Sequence, residues 1–246
     1  MTQSIGFRFP YDQSDQWDGF NDSGIEHFSG DPYVHLGREV VQNTLDARPE
    51  GTSAPAHIMI QVIDVPTGSI PDLPTFRSTL AACRLAAENE SEKAQIFFEN
   101  ALELLSKNKI AVLKISDYNT TGVRGPCENG TPYFALLKAS GQSKKNQTTA
   151  AGSFGIGKYA PFAVSALRTV FVTTVWEDNG SCHQYVQGKS ILMSHKENNG
   201  KTREGVGFWG SRNDVFRWSR RTSAWFQTGS CVVDSTTTSL VTLVRP

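Results

Sequence analysis

The sequence predicts an α+β fold: a two-layer sandwich in which a mixed, mostly antiparallel sheet carries helices on one face. Strand-like segments rich in β-branched residues are interspersed with helix-like segments, without the strict alternation of a parallel α/β fold. The Asp178-Asn179-Gly180 sequence favours a tight turn that joins two strands as a hairpin. With 246 residues, 38% of them hydrophobic, the chain is long enough for one large domain with a sizeable core.

The first half of the chain mixes both kinds of element. Residues 1–33 are polar and aromatic, and prolines at 10 and 32 indicate an irregular arm with one short helix. Residues 34–47 carry apolar side chains at helical spacing and end before Pro49, which stops a helix. Alternating β-branched residues predict strands, and stretches rich in Ala, Leu and Glu predict helices: strands at 57–65 and 110–117, and one or two helices within 76–107.

The second half is predicted in the same way. Its helices are a short one at 131–139 and one opened by glycines at 156–166. Its strands are 168–176, 183–193 and the LVTLV segment near the end of the chain, after a loop-rich stretch from 194 to 234.

Composition excludes several classes of protein. Lys and Arg number 24 and Asp and Glu number 24, so the net charge is zero, which argues against a protein that coats nucleic acid. The start of the chain lacks a secretory signal, and no apolar run is long enough to span a bilayer. We therefore expect a cytoplasmic protein with no membrane partner and four reduced cysteines, at positions 83, 127, 182 and 231.

Three polar side chains share one stripe of the predicted helix at 34–47. Glu39, Asn43 and Asp46 are spaced by four and then three residues, which brings them within roughly 60° of each other. The Asn43 amide oxygen could bind a hard cation such as Mg²⁺, and Glu39 could accept a proton from a neighbouring water. The alternative is an ordinary polar helix face.

The glycine segment GSFGIGKYA, from Gly152 to Ala160, matches two phosphate-binding motifs in part. A P-loop needs Ser or Thr where Tyr159 stands, and both the P-loop and the GxGxxA dinucleotide motif need a hydrophobic strand upstream, where SKKNQTTAA stands instead. A third interpretation is a glycine-rich turn that opens a helix, with bare N–H groups suited to phosphate and positive charge from Lys144, Lys145 and Lys158. The alternative is a helix start that needs glycines for packing.

A carboxylate ends the predicted strand at 110–117. In LKISDYNTTG, Asp117 is followed by a turn that reaches Gly122. Asp117 could accept a hydrogen bond from an exocyclic amine, worth roughly 1.5–3 kcal/mol. The alternative is an aspartate that caps the turn.

Taken in order, REVVQNTLDA, LKISDYNTTG and GSFGIGKYAPF resemble the signature ExxxNxxDA, DxGxG and GxxGxG of the GHKL ATPases. That superfamily includes gyrase B, the large heat-shock chaperones, sensor histidine kinases, MutL and MORC. The resemblance extends from about residue 36 to residue 174. It implies the Bergerat ATP-binding fold, with ATP and Mg²⁺ as ligands, in a domain at 34–246 that follows the arm at 1–33. It also implies a lid at about 123–151, and the extra length before Asp117 is expected to be a helical insertion at about 70–108.

The resemblance implies a role for each matching residue. Glu39 would be the catalytic base, Asn43 the metal ligand, Asp46 and Ala47 part of the nucleotide pocket, and Asp117 the partner of the adenine amine. Gly122 would shape the turn under the base. The residues facing the phosphates would be Lys144, Gly152, Ser153, Phe154, Gly155, Ile156, Gly157 and Lys158. A threonine from a late strand would support the adenine, with Thr173 the first choice and Thr237 the second.

The chain departs from the family pattern at identifiable points. Asn119 stands at the first glycine position of DxGxG, and Gly122 comes one residue late, so the backbone path there is an open question. No kinase-type phosphoacceptor histidine precedes the predicted ATP helix, since His27 and His35 lie too close to it, which disfavours a histidine kinase. The chain ends before the following domain that supplies a Lys or Arg to the γ-phosphate in relatives. We therefore expect the N-terminal part of a longer protein, or a partner that supplies this charge.

These features predict Mg-dependent ATP binding and slow hydrolysis that drives lid closure and dimerisation. The domain would serve a larger prokaryotic machine, for DNA processing or phage defence. The alternatives are a nucleotide sensor that does not hydrolyse ATP and an ATP-gated nucleic-acid module. The segment RWSRRTSAW at 217–225 carries basic and aromatic residues that could follow a nucleic-acid strand. The alternative is that these residues are ordinary surface charge and core tryptophans. Aromatic residues of the arm would either swap across an ATP-bound dimer or cover this domain's own sheet edge.

Overall fold

The computed structural model describes residues 5–139, 155–211 and 237–244. The helices are α1 (Ser23–Glu26), α2 (Pro32–Asp46), α3 (Leu73–Ala87), α4 (Glu92–Ser106), α5 (Pro132–Leu137) and α6 (Ala160–Val164). The strands are β1 (Ile5–Arg8), β2 (His57–Pro66), β3 (Lys109–Tyr118), β4 (Ser165–Asp178), β5 (Ser181–Ile191), β6 (His195–Lys196), β7 (Thr202–Arg203), β8 (Val206–Ser211) and β9 (Thr237–Val244). Short 3-10 turns occupy Thr67–Ser69 and Gly157–Tyr159.

Within the described residues the main sheet has seven strands, in the order β1-β8-β5-β4-β9-β3-β2, and each neighbouring pair is antiparallel. The small strands β6 and β7 pair separately. Strand β9 lies between β3 and β4, although it comes last in the chain. The prediction of an α+β fold with a mostly antiparallel sheet is confirmed.

Helices cover both faces of the sheet, so the prediction of helices on one face is wrong. Successive strand residues point to opposite faces, and adjacent residues of β4 belong to different cores. Phe171 packs with α3, α4 and β1 in one core, here named face A. Val170 and Val172 pack with α2, α5 and α6 in the second core, here named face B. The α3–α4 hairpin is the extra layer on face A.

The first 33 residues contain more regular structure than predicted. Strand β1 pairs with β8 at one edge of the sheet, and the Phe7 ring stacks on Phe76 of α3 with centroids 4.5 Å apart. Tyr11 bridges to Arg203, whose guanidinium lies 3.4 Å from the Tyr11 ring centroid. The arm is therefore held by its own chain at the positions described.

Several local predictions are confirmed and others need correction. Asn179 and Gly180 have φ angles of 49° and 74°, the left-handed pair that a tight hairpin turn requires. The predicted helix at 156–166 is instead a 3-10 turn followed by α6, and β4 already begins at Ser165. Strand β8 falls in the stretch predicted to be loop-rich, because its glycines interrupt the alternation that identifies a strand.

The cysteines differ in part from expectation. Cys83 and Cys127 are free and buried, and burial raises the pKa of the Cys127 thiol to about 11. Cys182 is disulfide-bonded, so the prediction of a reduced thiol is wrong at this position. Among the residues described, no helix is both long and apolar enough to cross a membrane.

Candidate functional site

Helix α2 brings the predicted acidic stripe onto face B. Pro32 starts the helix at its first turn, where a missing N–H costs nothing. Leu36 and Thr44 are buried and anchor the inner side of the helix against the face B core. Glu39 is half-buried on this side, whereas Asn43 and Asp46 are exposed. Asn43, the predicted metal ligand, is therefore open to solvent, whereas Glu39, the predicted base, is partly shielded from it.

The glutamate of α2 touches the glycine segment. An ideal Cβ built on Gly157 would lie 1.7 Å from Oε2 of Glu39 and 2.4 Å from its Cδ. The carboxylate therefore occupies the space that a side chain at position 157 would need. Gly155 has a φ of 70°, in the left-handed region that favours glycine. Both glycines are thus required by local geometry.

The C-terminal end of α2 is tied to the loop that follows Asp117. The Thr121 amide donates a hydrogen bond of 2.7 Å to the carbonyl of Ala47, the C-cap residue of α2. Asp117 stands near the end of β3, and its Oδ1 accepts a bond of 3.4 Å from the Thr120 hydroxyl. One helix thus joins the three segments that carry the predicted motifs.

The residue at the first glycine position of the expected DxGxG pattern adopts a left-handed backbone conformation. Asn119 has a φ of 58°, and its side-chain amide donates to the carbonyl of Pro55 at 2.9 Å. Gly122 follows with a φ of 63°. Asparagine tolerates the left-handed region better than most residues, so the substitution for glycine leaves the turn intact.

The register of the sheet corrects the choice of threonine. Asp117 pairs with Thr238 of β9, which pairs with Thr174 of β4. Directly paired residues share a face, so Thr174 lies on face B with Asp117. The Thr174 hydroxyl accepts a hydrogen bond of 3.2 Å from the Val123 amide. Thr173 is buried on face A, away from Asp117. Thr237 aligns with Tyr118 and Val175, one step out of the Asp117 register.

Lys158 lies at the predicted phosphate segment and is partly withdrawn from solvent. Its ammonium donates to the carbonyl of Ala139, just after α5. Burial lowers its pKa below the ordinary lysine value. Ile156 precedes it, half-buried against the face B core. The remaining predicted phosphate residues, Lys144, Gly152, Ser153 and Phe154, lie outside the described residues, as does the basic stretch 217–225.

A large cleft lies away from these motifs. It measures about 850 Å³ and opens between α4, α1 and α6, with Ile96, Phe97 and Arg168 among its lining residues. Neither Glu39 nor Asp117 lines it. The size of this cleft would make it a candidate ligand site. The contacts between the predicted motif segments, however, lie on face B.

Comparison with known proteins does not assign this chain to a family. No protein-family model matches the chain, and no curated protein matches it. The functional interpretation therefore depends on the residues described above.

Proposed function

We propose that this chain is a GHKL-type ATPase domain with the Bergerat fold, which binds Mg·ATP on face B and hydrolyses it slowly. Nucleotide binding would close a lid at about 123–151 and favour a homodimer, as the ATPase module of a larger prokaryotic machine. Any effect on nucleic acid would come through that machine, for example in DNA processing or defence against phage.

The contact between Glu39 and Gly157 carries this proposal. These residues belong to motifs far apart in the sequence, and nothing about either motif alone requires them to meet. The bond from Thr121 to Ala47 supports the same arrangement at the C-terminal end of α2. A chance match to three short motifs would not explain contacts of one helix with both of the other motif segments.

The residues present fit the proposed ligands. Asn43 offers an amide oxygen from an exposed helix face, and oxygen atoms are the donors that Mg²⁺ prefers. Asp46 is exposed one turn further along, where it could border the nucleotide pocket. Gly157 has no side chain of its own between its backbone and the Glu39 carboxylate. Asp117 and Thr174 share a face and could hold an adenine amine and ring nitrogen through hydrogen bonds. When bound, Mg²⁺ would neutralise part of the phosphate charge.

Glu39 would act in hydrolysis as the acceptor of a proton. The oxygen of a water molecule would form the new bond to the terminal phosphorus, the bond from phosphorus to the ADP oxygen would break, and the water proton would pass to the Glu39 carboxylate. General-base assistance of this kind contributes typically about 10²–10⁴-fold to a rate. A sensor that only binds nucleotide would not need this carboxylate.

Replacing Asp117 by Asn tests the nucleotide pocket. We expect Asp117→Asn to weaken the binding of ATP and ADP by at least about tenfold, because a charge-assisted hydrogen bond is lost. Asp64→Asn is the matched control, since Asp64 is exposed near the far end of the same strand pair. Calorimetric titration with each nucleotide gives the affinities. Equal affinity in Asp117→Asn and the unmodified chain would contradict the proposed nucleotide pocket. Phosphate release from ATP by the unmodified chain would distinguish a hydrolase from a sensor that only binds nucleotide.

A further inference from the structure

Three lysines converge on face B beside the glycine segment. Lys138 caps the C-terminal end of α5, Lys158 lies in the 3-10 turn after Gly157, and Lys189 lies on β5. We name Lys138, Lys158 and Lys189 the lysine cluster. The three residues come from three separate elements, so the fold itself assembles the cluster.

Aromatic rings connect the three ammonium groups. Lys189 and Lys138 lie over the same ring of Phe208, at 6.0 and 5.5 Å from its centroid. Lys189 and Lys158 both lie 5.9 Å from the centroid of the Tyr159 ring. Lys189 is thus the central member, with a like charge on each side.

Lys189 is unusually buried for a cation. Its exposure is 7%, and its ammonium makes no hydrogen bond or ion pair with the described residues. Gln187, two residues earlier and on the same face, is fully buried, and neither of its amide atoms has a hydrogen-bond partner among the described residues. Buried polar groups are normally satisfied, so the Gln187 amide lacks the partner that its burial requires.

The electrostatic environment agrees with this geometry. Burial and then the nearby Lys158 lower the pKa of Lys189 to about 8, and Asp22 opposes the shift. Burial also lowers the pKa of Lys138. An anion among these lysines would relieve their mutual repulsion and accept a hydrogen bond from Lys189.

We propose that the lysine cluster and Gln187 bind a phosphate group, and that this group is the terminal phosphate of the nucleotide. The identification of the phosphate as part of ATP rests on the proposed function. The anion site itself rests only on the lysine cluster and on Gln187. Lys158 directly follows the glycine that contacts Glu39, so a phosphate at the cluster lies beside the proposed base. The chain would then supply the positive charge on the terminal phosphate from its own fifth strand.

Substitution of the central lysine tests this site. Lys189→Met removes the charge and retains the length of the side chain, and Lys196→Met is the control, because Lys196 is exposed on β6. The probes are ATP, ADP and inorganic phosphate, each titrated by calorimetry in phosphate-free buffer. We expect Lys189→Met to weaken ATP binding by about tenfold or more and to change ADP binding less than about twofold. Thermal unfolding verifies that the variant folds, and Lys138→Met provides a second test if it does not.

The possible outcomes separate the two proposals. Unchanged ATP affinity in both Lys189→Met and Lys138→Met overturns the phosphate site and leaves the nucleotide pocket standing. If the unmodified chain binds phosphate but no adenine nucleotide, and Lys189→Met loses phosphate, the anion site stands and its assignment to ATP is wrong. Equal losses of ATP and ADP overturn the assignment to the terminal phosphate. Binding of none of the three probes overturns both proposals.

Discussion

The α-carbon of Gly157 faces the Glu39 carboxylate so closely that any side chain would displace it. We expect Gly157→Ala to lower ATP turnover by about 100-fold, because the proposed base must move. The thermal midpoint should change by less than about 3 °C, since the displaced atoms are the flexible end of a side chain.

A double-mutant cycle with Glu39→Ala isolates this effect. In the Glu39→Ala background, the added methyl group at position 157 has no carboxylate to displace, so it should cause no further loss of turnover. Additive losses from the two substitutions would show that Gly157 acts independently of Glu39. Phosphate release under saturating ATP is the measurement.

Adjacent threonines on β4 make a matched pair. Thr174→Val should weaken ATP and ADP binding several-fold, since Thr174 shares face B with Asp117 and its hydroxyl holds the Val123 amide at 3.2 Å. Thr173→Val should leave affinity unchanged, and should be neutral or stabilising, because the Thr173 hydroxyl is buried on face A without a hydrogen-bond partner among the described residues. The reverse pattern in nucleotide titrations would contradict the assignment of faces.

Helical spacing predicts which residues of α2 share a stripe, but no comparable signal shows which face of β4 carries Thr173. A shift of one residue moves a strand side chain to the opposite face. The face depends on how β4 pairs with β9, and β4 is irregular between Ser165 and Val170. Lys189 was missed for a similar reason, because its burial depends on α5, α6 and β8 meeting over β5.

At the scale of elements, β5 packs its backbone directly against aromatic side chains. An ideal Cβ at Gly188 would lie 2.8 Å from the Phe171 ring and 2.9 Å from Cβ of Trp209. We expect Gly188→Ala to lower the free energy of unfolding by about 1–3 kcal/mol through overpacking. Denaturant unfolding followed by fluorescence measures this.

Gly68 offers the matched control for Gly188. It lies in a 3-10 turn, and no atom lies within 4 Å of an ideal Cβ there. Gly68→Ala should be neutral or stabilise the fold by up to about 1 kcal/mol, because alanine restricts the unfolded chain. Comparable destabilisation by both substitutions would argue against the close packing at Gly188.

Long elements were predicted better than short ones. Helices α3 and α4 fall within the stretch predicted to be helical, and Ser91 begins α4 by accepting a hydrogen bond from the Ala94 amide at 3.2 Å. The sequence does not identify strands β1 and β8, because each is short and its strand partners lie far away in the chain: β1 pairs with β8, and β8 also pairs with β5. Local sequence carries little information about such strands.

For the whole molecule, the lysine cluster predicts how stability depends on pH. The pKa of Lys189 is about 8 in the folded chain and 10.5 as its ordinary value, so the unfolded chain binds more protons between these values. The free energy of unfolding should therefore rise with pH through this window. The Lys189 contribution is up to about 3 kcal/mol.

The difference between the unmodified chain and Lys189→Met isolates this contribution from other titrating groups, including Lys138 and Lys158. Below pH 8 the variant should be the more stable of the two, because it carries no buried charge. This advantage should shrink as the pH approaches 10.5. Thermal unfolding of both proteins in phosphate-free buffer across this pH range is the measurement. A stability difference between them that does not vary with pH would contradict the low pKa of Lys189 in the folded chain.

The second helical layer was not predictable from the sequence alone. The stretch at 70–108 was recognised as a helical insertion, but neither its composition nor its length says which face of the sheet it covers. Face A becomes a core because Phe76, Leu80 and Phe98 pack there. Without that hairpin, the remaining helices would all lie on face B, as the sequence predicted.

The position of β9 has a consequence during protein synthesis. A ribosome releases residues 237–244 after all the other described strands, yet this segment lies in the middle of the sheet. Until then β3 and β4 expose unpaired backbone to other nascent chains. Such late closure slows folding and increases the risk of aggregation. Expression of the protein should therefore be sensitive to chaperone supply and to growth temperature.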